Sequence, residues 1–229
     1  MNNNGILRRQ FAYSYNNITL YLIIANLIVF LISSQIRGAI VTVPEGQVDI
    51  QAFLSMVPIL VNRGFIWQFF TYMFAHASFN HLFFNMLGLF IFGTQVEREM
   101  GSKEFLLFYL VTGMFAGILS YGVYLLSYAL GGNVVIMVTR LLGASGALYA
   151  VMLAFATYYP NARIFVMGIL PMRSVTLIMV YAALALYNQI TGSAGGVAHM
   201  THLAGFIFAF LYFVIRFGHN PIKSWRNGS

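Results

Sequence analysis

The sequence predicts an all-α membrane protein, a bundle of six transmembrane helices with a long, partly membrane-embedded first external loop. Composition is the first indication, because the 229 residues are 60% hydrophobic and 7% charged, whereas a soluble domain carries roughly 25% charged residues. The mean hydropathy of +0.79 agrees. The other indications are six apolar segments and an uneven distribution of basic residues. The chain is long enough for one bundle and too short for an added large soluble domain.

The apolar segments define the predicted helices, since spanning a bilayer takes about 20 mostly apolar residues. They cover residues 18–34, 79–96, 105–126, 141–159, 175–190 and 201–217. The first has no small-residue cleavage site at its end, so we expect a retained helix rather than a signal peptide. We therefore predict one domain over residues 18–217, with cytoplasmic tails at 1–17 and 218–229.

Basic residues predict the orientation of the bundle. Three of them, Arg37, Arg63 and Arg140, fall on the side opposite the termini. Nine fall on the side of the termini: Arg8, Arg9, Arg98, Lys103, Arg163, Arg173, Arg216, Lys223 and Arg226. The positive-inside rule places both termini in the cytoplasm of a multi-pass protein of the cell (inner or plasma) membrane. The same rule accounts for the net charge of +7, so we predict the lipid bilayer, and no nucleic acid, as a partner.

The first external loop, residues 35–78, contains apolar stretches at 53–61 and 65–74 that are too short to span. Trp67 and Tyr72 suit a bilayer interface. We expect this loop to be partly helical and to lie on or in the outer leaflet; the alternative is a soluble loop packed on the bundle. The apolar loop at 164–170 is also expected at the interface.

Small residues indicate which helices pack closely. The fourth segment contains Gly143, Ala144, Gly146, Ala147, Ala150, Ala154 and Ala156. Such residues let neighbouring backbones approach each other, so this helix is predicted to be central. Gly113 and Gly117 give the third helix a similar pattern, and Gly205 with Ala209 gives the sixth helix a face that can press against the fourth.

Ser145 and His202 are the polar residues that point to chemistry. A hydroxyl and an imidazole in apolar helices are costly without partners or a task, and together they can form a nucleophile and its base. Alone, each has a structural alternative, such as a serine bonded to its own backbone. The predicted topology puts both near the outer ends of their helices, at the depth of His81 and Asn85. This matched depth favours catalysis.

An oxyanion formed by attack of Ser145 needs hydrogen-bond donors in a dry site. Ser145 opens a helix, where backbone N–H groups lack intrahelical partners. His81 and Asn85 are four residues apart, share one helical face and can donate; the alternative is an interhelical hydrogen-bond pair. Tyr149, one turn from Ser145, can stack on His202 or serve as an ordinary core residue.

Acidic residues are confined to loops and helix ends, so the sequence predicts a Ser–His dyad rather than a triad. The five are Glu45, Asp49, Glu97, Glu99 and Glu104.

Four motifs resemble those of rhomboid intramembrane serine proteases of the basic six-helix bacterial type, across about residues 67–217. They are His76-Ala-Ser-Phe-Asn-His81-Leu-Phe-Phe-Asn85, Gly93-Thr-Gln-Val-Glu97-Arg-Glu-Met-Gly101, Gly143-Ala-Ser145-Gly146-Ala-Leu-Tyr149 and His202-Leu-Ala-Gly205. Their order, spacing and predicted topology together make the resemblance specific.

The resemblance implies that Ser145 is the nucleophile and His202 the base. It also implies an oxyanion hole made by His81, Asn85 and the Ser145 amide, with Tyr149 supporting His202. The implied substrates are transmembrane segments of single-pass membrane proteins, cut in or near their outer part. The fifth helix and the loop before His202 would form a lateral gate and cap.

Three positions depart from the family pattern. Gln68 stands where arginine is common, which puts the anchoring of the first loop in doubt. Ala209 stands where glycine is common. His199 is not part of the pattern, and we expect it to be solvated; the alternative is that it lines a water-filled entrance.

Other function classes fit the sequence less well. A transporter or channel needs an ion path, yet no charged residue lies in the middle of a predicted helix. The chain lacks cysteine and a His-Glu-x-x-His motif, so no metal or cofactor is predicted. Lys103 and Lys223 are both on the cytoplasmic side, which excludes a Ser–Lys dyad. An inactive rhomboid-like binding protein would lack the serine or the histidine, and this chain has both.

Overall fold

The computed structural model describes residues 6–36, 38–43, 46–166, 168–191 and 196–227. A 3₁₀ turn at Ile6–Arg8 precedes the first long helix. The elements that follow, in order, are α1 (Ile18–Gln35), β1 (Ile40–Val43), β2 (Gly46–Asp49), α2 (Ile50–Leu54), α3 (Pro58–Val61), α4 (Gln68–Thr71), α5 (Phe79–Gly88), a π-helical segment (Leu89–Gly93), α6 (Thr94–Met100), α7 (Ser102–Ala129), α8 (Val135–Val138), α9 (Ser145–Tyr158), β3 (Arg163–Val166), β4 (Leu170–Arg173), α10 (Ser174–Thr191), α11 (Gly196–Tyr212), a second π-helical segment (Phe213–Phe217) and α12 (Pro221–Asn227).

The protein is mostly helical, in agreement with the predicted class, but its described residues also contain short strands. The described residues form two antiparallel hairpins, β1–β2 between α1 and α2 and β3–β4 after α9. Each strand is only four residues long, and β1 and β3 are rich in β-branched and aromatic residues, which favour extended structure. The apolar loop at 164–170 is therefore part of a hairpin. Its register pairs Arg163 with Arg173 and Val166 with Leu170.

In the described part of the chain, three helices are long and apolar enough to cross a membrane, at Ile18–Gln35, Ser102–Ala129 and His199–Phe217. Two shorter apolar helices lie at Ser145–Tyr158 and Ser174–Gln189. The predicted second span, 79–96, corresponds to α5, the π-helical segment and α6, which run on without a break to Met100. The fourth helix begins at Ser145 instead of residue 141, because Leu141 exchanges two backbone hydrogen bonds of 2.9 Å with Met56.

Helix α9 is the centre of the bundle, as its small residues predicted. Every residue from Gly146 to Thr157 except Tyr149 is buried, and the helix packs against α7, α10 and α11. A Cβ atom on Gly205 of α11 would lie more than 1 Å inside the ordinary 3.4 Å contact with the carbonyl oxygen of Gly146. This glycine therefore permits the close approach of α9 and α11.

The loop between α1 and α5, which was predicted to be external, is partly helical, as expected, and it packs on the bundle. Tyr72 and Met73 are fully buried, and Tyr72 Oη donates to the carbonyl of Gly113 on α7 at 2.6 Å. A Cβ on Gly117 would lie 2.7 Å from the Tyr72 ring. Gly113 and Gly117, which were predicted to allow close packing, thus contact the loop.

Gln68, whose role in anchoring the first loop was in doubt, does anchor it. Its side chain is fully buried. Its amide donates to the carbonyl of Ala52 at 2.8 Å, and its oxygen accepts from the Val57 N–H at 3.0 Å. A neutral amide satisfies these backbone groups without the cost of burying a charge.

The end of the bundle that carries the chain termini is held by two carboxylates. Glu97 is fully buried and accepts from the backbone N–H groups of Ile18 at 2.7 Å and Thr19 at 2.9 Å, which caps α1. Glu104 binds Arg216 through bonds of 2.7 and 2.9 Å. Arg37, which was used for the topology prediction, and Glu45, one of the five acidic residues, lie outside the described residues.

Candidate active site

Ser145 lies at the start of a helix, and Gly143 provides the backbone conformation just before it. Gly143 has a φ of +120°, and a Cβ there would lie 2.7 Å from Cε1 of His81. Its N–H donates to the carbonyl of Tyr72 at 2.9 Å. Ser145 is the first residue of α9, so its backbone N–H has no partner within the helix.

The structure brings Ser145 and His202 together. His202 Nε2 lies 2.8 Å from Ser145 Oγ, a normal hydrogen-bond distance. The close approach of α9 and α11 at Gly205 makes this possible, since Gly205 lies one turn after His202. Thr201, next to His202, is buried and hydrogen-bonds through its Oγ1 to Ser120 Oγ on α7 at 2.7 Å. The N-terminal half of α11 is therefore held on two sides.

Tyr149 stacks on the imidazole. The Tyr149 and His202 ring centroids are 4.1 Å apart and the planes differ by 12°. Tyr181 and Phe206 contact Tyr149 in turn, at centroid distances of 5.8 and 5.1 Å. The ring that lies against His202 thus belongs to an aromatic cluster made by α9, α10 and α11.

The described carboxylates are all engaged elsewhere. Asp49 pairs with Arg140 and Glu104 with Arg216. Glu97 caps α1, and Glu99 accepts from Tyr159. The imidazole of His202 is therefore positioned by stacking and packing rather than by one of these acids.

Asn85 and His81 share a face of α5, but the bond between them lies within the helix. Asn85 Nδ2 donates to the His81 carbonyl at 2.7 Å, so this bond is not the interhelical hydrogen bond that the sequence left open as the alternative. A primary amide has two N–H groups, and the second remains for another acceptor. Asn85 is buried. Its Oδ1 is one of the buried side-chain oxygens without a hydrogen bond in the described part of the chain.

His76 belongs to the site, although the sequence singled it out only as part of a motif. Its Nε2 accepts from the Ala144 N–H at 3.4 Å, and its Nδ1 lies 3.3 Å from the Phe74 carbonyl. Burial, and next the charge of His81, lower the pKa of His76 to about 4. A neutral ring that donates from Nδ1 and accepts at Nε2 fits both contacts.

His199 is half-buried, with its ring centroid 6.1 Å from that of His202 in an edge-on arrangement. It is thus less solvated than expected. Among the described residues, no group of three or more His, Cys, Asp or Glu is arranged to hold a metal ion.

Apolar helices packed around a serine–histidine pair define the class as a multi-pass helical membrane protein with a polar site in its core. The rhomboid domain family matches residues 63–219, and the chain belongs to this family of intramembrane serine proteases.

Relatives with similar sequences agree. The chain is 30% identical over 149 residues to the rhomboid protease GlpG of Haemophilus influenzae, covering 64% of this chain and 69% of that protein. It is 30% identical over 154 residues to the putative rhomboid protease YdcA of Bacillus subtilis, covering 66% and 69%. The mitochondrial presenilin-associated rhomboid-like protein of Rattus norvegicus is 30% identical over 161 residues, covering 67% of this chain and 38% of that protein.

Proposed function

We propose that this protein is an intramembrane serine endopeptidase that cuts transmembrane segments of single-pass membrane proteins with a Ser–His dyad. The observation that carries the proposal is the 2.8 Å contact between Ser145 Oγ and His202 Nε2. His202 takes the hydroxyl proton as Oγ attacks the scissile carbonyl, and it returns the proton to the leaving amine. The acyl-enzyme formed on Ser145 is then hydrolysed by water, with His202 as the base again.

The oxyanion that develops in both steps is stabilised by donors near the start of α9. The Ser145 N–H is available at the helix terminus, where the helix dipole also favours negative charge. Asn85 contributes its second N–H, and His81 contributes a ring that lies against Gly143. Tyr149 keeps the imidazole of His202 in orientation by stacking, a task that a carboxylate performs in triads.

The proposed membrane arrangement has six spans within one domain, residues 18–217, with cytoplasmic tails at 1–17 and 218–229. Helix α1, the α5–α6 unit, α7, α9, α10 and α11 supply the spans. The first external loop is embedded on the outer side, so substrates are cut near the outer leaflet. The proposed gate includes α10 and the loop before His202, of which residues 192–195 lie outside the described residues.

Orientation is tested with single cysteines, since the chain has none. Arg63→Cys in the first loop and Lys103→Cys at the start of α7 both change exposed residues. With both termini cytoplasmic, an impermeant thiol reagent labels the first variant in intact cells and the second only after lysis. The reverse pattern overturns the proposed orientation.

The activity is tested with the purified protein in liposomes, a panel of membrane-spanning segments and mass spectrometry of the products. Ser145→Ala should abolish cutting, whereas the control Ser34→Ala, at the end of α1, should not. Cutting by Ser145→Ala at the wild-type rate contradicts the proposal.

A further inference from the structure

The β3–β4 hairpin presents a cationic and apolar face that nothing in the catalytic site uses. Its register places Arg163 directly opposite Arg173, and Phe165 opposite Pro171. Since side chains alternate along a strand, these four residues share one face. Both arginines are exposed, and Phe165 is 61% exposed. The opposite face carries Ile164, Val166 and Met172, which pack against the core.

The two arginines face each other, so an anionic partner would offset the repulsion between their charges. Like charges directly opposite each other destabilise an antiparallel pair. Within the part of the chain that the structure describes, the ion pairs are Arg140–Asp49 and Arg216–Glu104, so neither hairpin arginine has a carboxylate of its own. The nearby Glu99 accepts a hydrogen bond from Tyr159.

The position of the hairpin identifies that partner. It joins the end of α9 to the start of α10, and Ser174 closes its base by donating to the carbonyls of Ala162 at 2.9 Å and Tyr159 at 2.5 Å. The apolar helices α9 and α10 both extend from the same side of this base. The hairpin therefore lies at the level where a bilayer changes from hydrocarbon to headgroups. Ile169, near the tip, is 83% exposed, which suits contact with acyl chains.

We propose that this exposed hairpin face binds the anionic phospholipids of the membrane that holds the protein. Arg163 and Arg173 contact lipid phosphates as paired guanidinium groups, while Phe165 and Ile169 insert below them. Because Arg173 immediately precedes α10, a bound headgroup also fixes the first turn of that helix. This inference rests on the proposed membrane spans α9 and α10, and on neither the dyad nor the orientation of the bundle.

The test measures lipid selectivity at the hairpin itself. The full chain, carrying Ile169→Cys labelled with bimane, is reconstituted in phosphatidylcholine nanodiscs. Quenching by brominated phosphatidylglycerol is compared with quenching by brominated phosphatidylcholine. A basic residue near an anionic surface strengthens binding about fivefold, so we expect phosphatidylglycerol to be preferred roughly ten- to thirtyfold. We also expect the preference to weaken at high salt.

Variants locate the effect. Arg163→Gln with Arg173→Gln should remove most of the preference, and Arg163→Lys with Arg173→Lys should retain it, which shows that the hairpin still folds. The matched control, Lys223→Gln with Arg226→Gln, removes two exposed charges from α12 at the same end and should change little. Equal loss in the control, or a label that no brominated lipid quenches because the hairpin meets water or another protein, overturns the proposal.

Discussion

Gly205→Ala should disable the protein by separating its two central helices. The added Cβ falls more than 1 Å inside an ordinary contact with the carbonyl oxygen of Gly146. This atom is backbone in the buried α9, so the helices must move apart by about that distance. The 2.8 Å contact between Ser145 and His202 then lengthens beyond hydrogen-bond reach. A misplacement of about 1 Å costs on the order of 10²-fold in rate, and overpacking costs about 1–3 kcal/mol of stability.

The assay compares cleavage of a reconstituted transmembrane substrate with thermal unfolding of the same preparation. Gly122→Ala is the matched control, because a Cβ there meets nothing within 4 Å and alanine favours the α7 helix. It should keep its activity and lose no stability. Near-normal cleavage by Gly205→Ala would refute the argument that this glycine sets the geometry of the site.

Three further predictions concern single side chains. Cleavage should fall once the pH is low enough to protonate His202, because the imidazole must be neutral to accept a proton; a rate that stays unchanged down to the pH at which the protein unfolds would argue against an imidazole base. Asn85→Ala should lower turnover about 10²–10³-fold with a much smaller change in substrate binding, whereas a proportional loss of stability would mark Asn85 as structural. His76 has its pKa lowered to about 4 by burial, so its contribution to stability is present above about pH 6.5 and lost as pH falls toward 4. The melting temperature of the His76→Gln variant should therefore fall less between pH 7 and 4.5 than that of the wild type. An equal fall in the two proteins would contradict this role.

The features that the sequence predicts best depend on the type of residue that recurs along one segment of the chain. Long apolar runs indicate membrane helices because the bilayer requires them, and small residues indicated the central position of α9. The contact of Gly205 with α9 was predictable for the same reason. The start of α9 was predicted at residue 141, four residues early, because its apolar run continues through the segment that pairs with Met56.

Other features depend on contacts between distant parts of the chain. The two hairpins have strands of four residues, too short for their alternation to stand out from an apolar loop. The sequence left it in doubt whether Gln68 could anchor the first loop, because arginine is common at this position in the family. Only the positions of the Ala52 and Val57 backbone groups explain why an amide side chain can bind there. His76 reaches Ala144 across 68 positions of sequence. Its motif spacing from His81 was the signal that marks it as a site residue.

The central claim is that Ser145 is a nucleophile activated by His202, and covalent labelling tests it most directly. A fluorophosphonate probe is added to the folded wild-type protein, to His202→Ala and to heat-denatured protein, and the modified peptide is identified by mass spectrometry. The account predicts modification at Ser145 in the folded wild type and little in the other two samples. Modification of a different serine, or equal modification of Ser145 in His202→Ala, would contradict it.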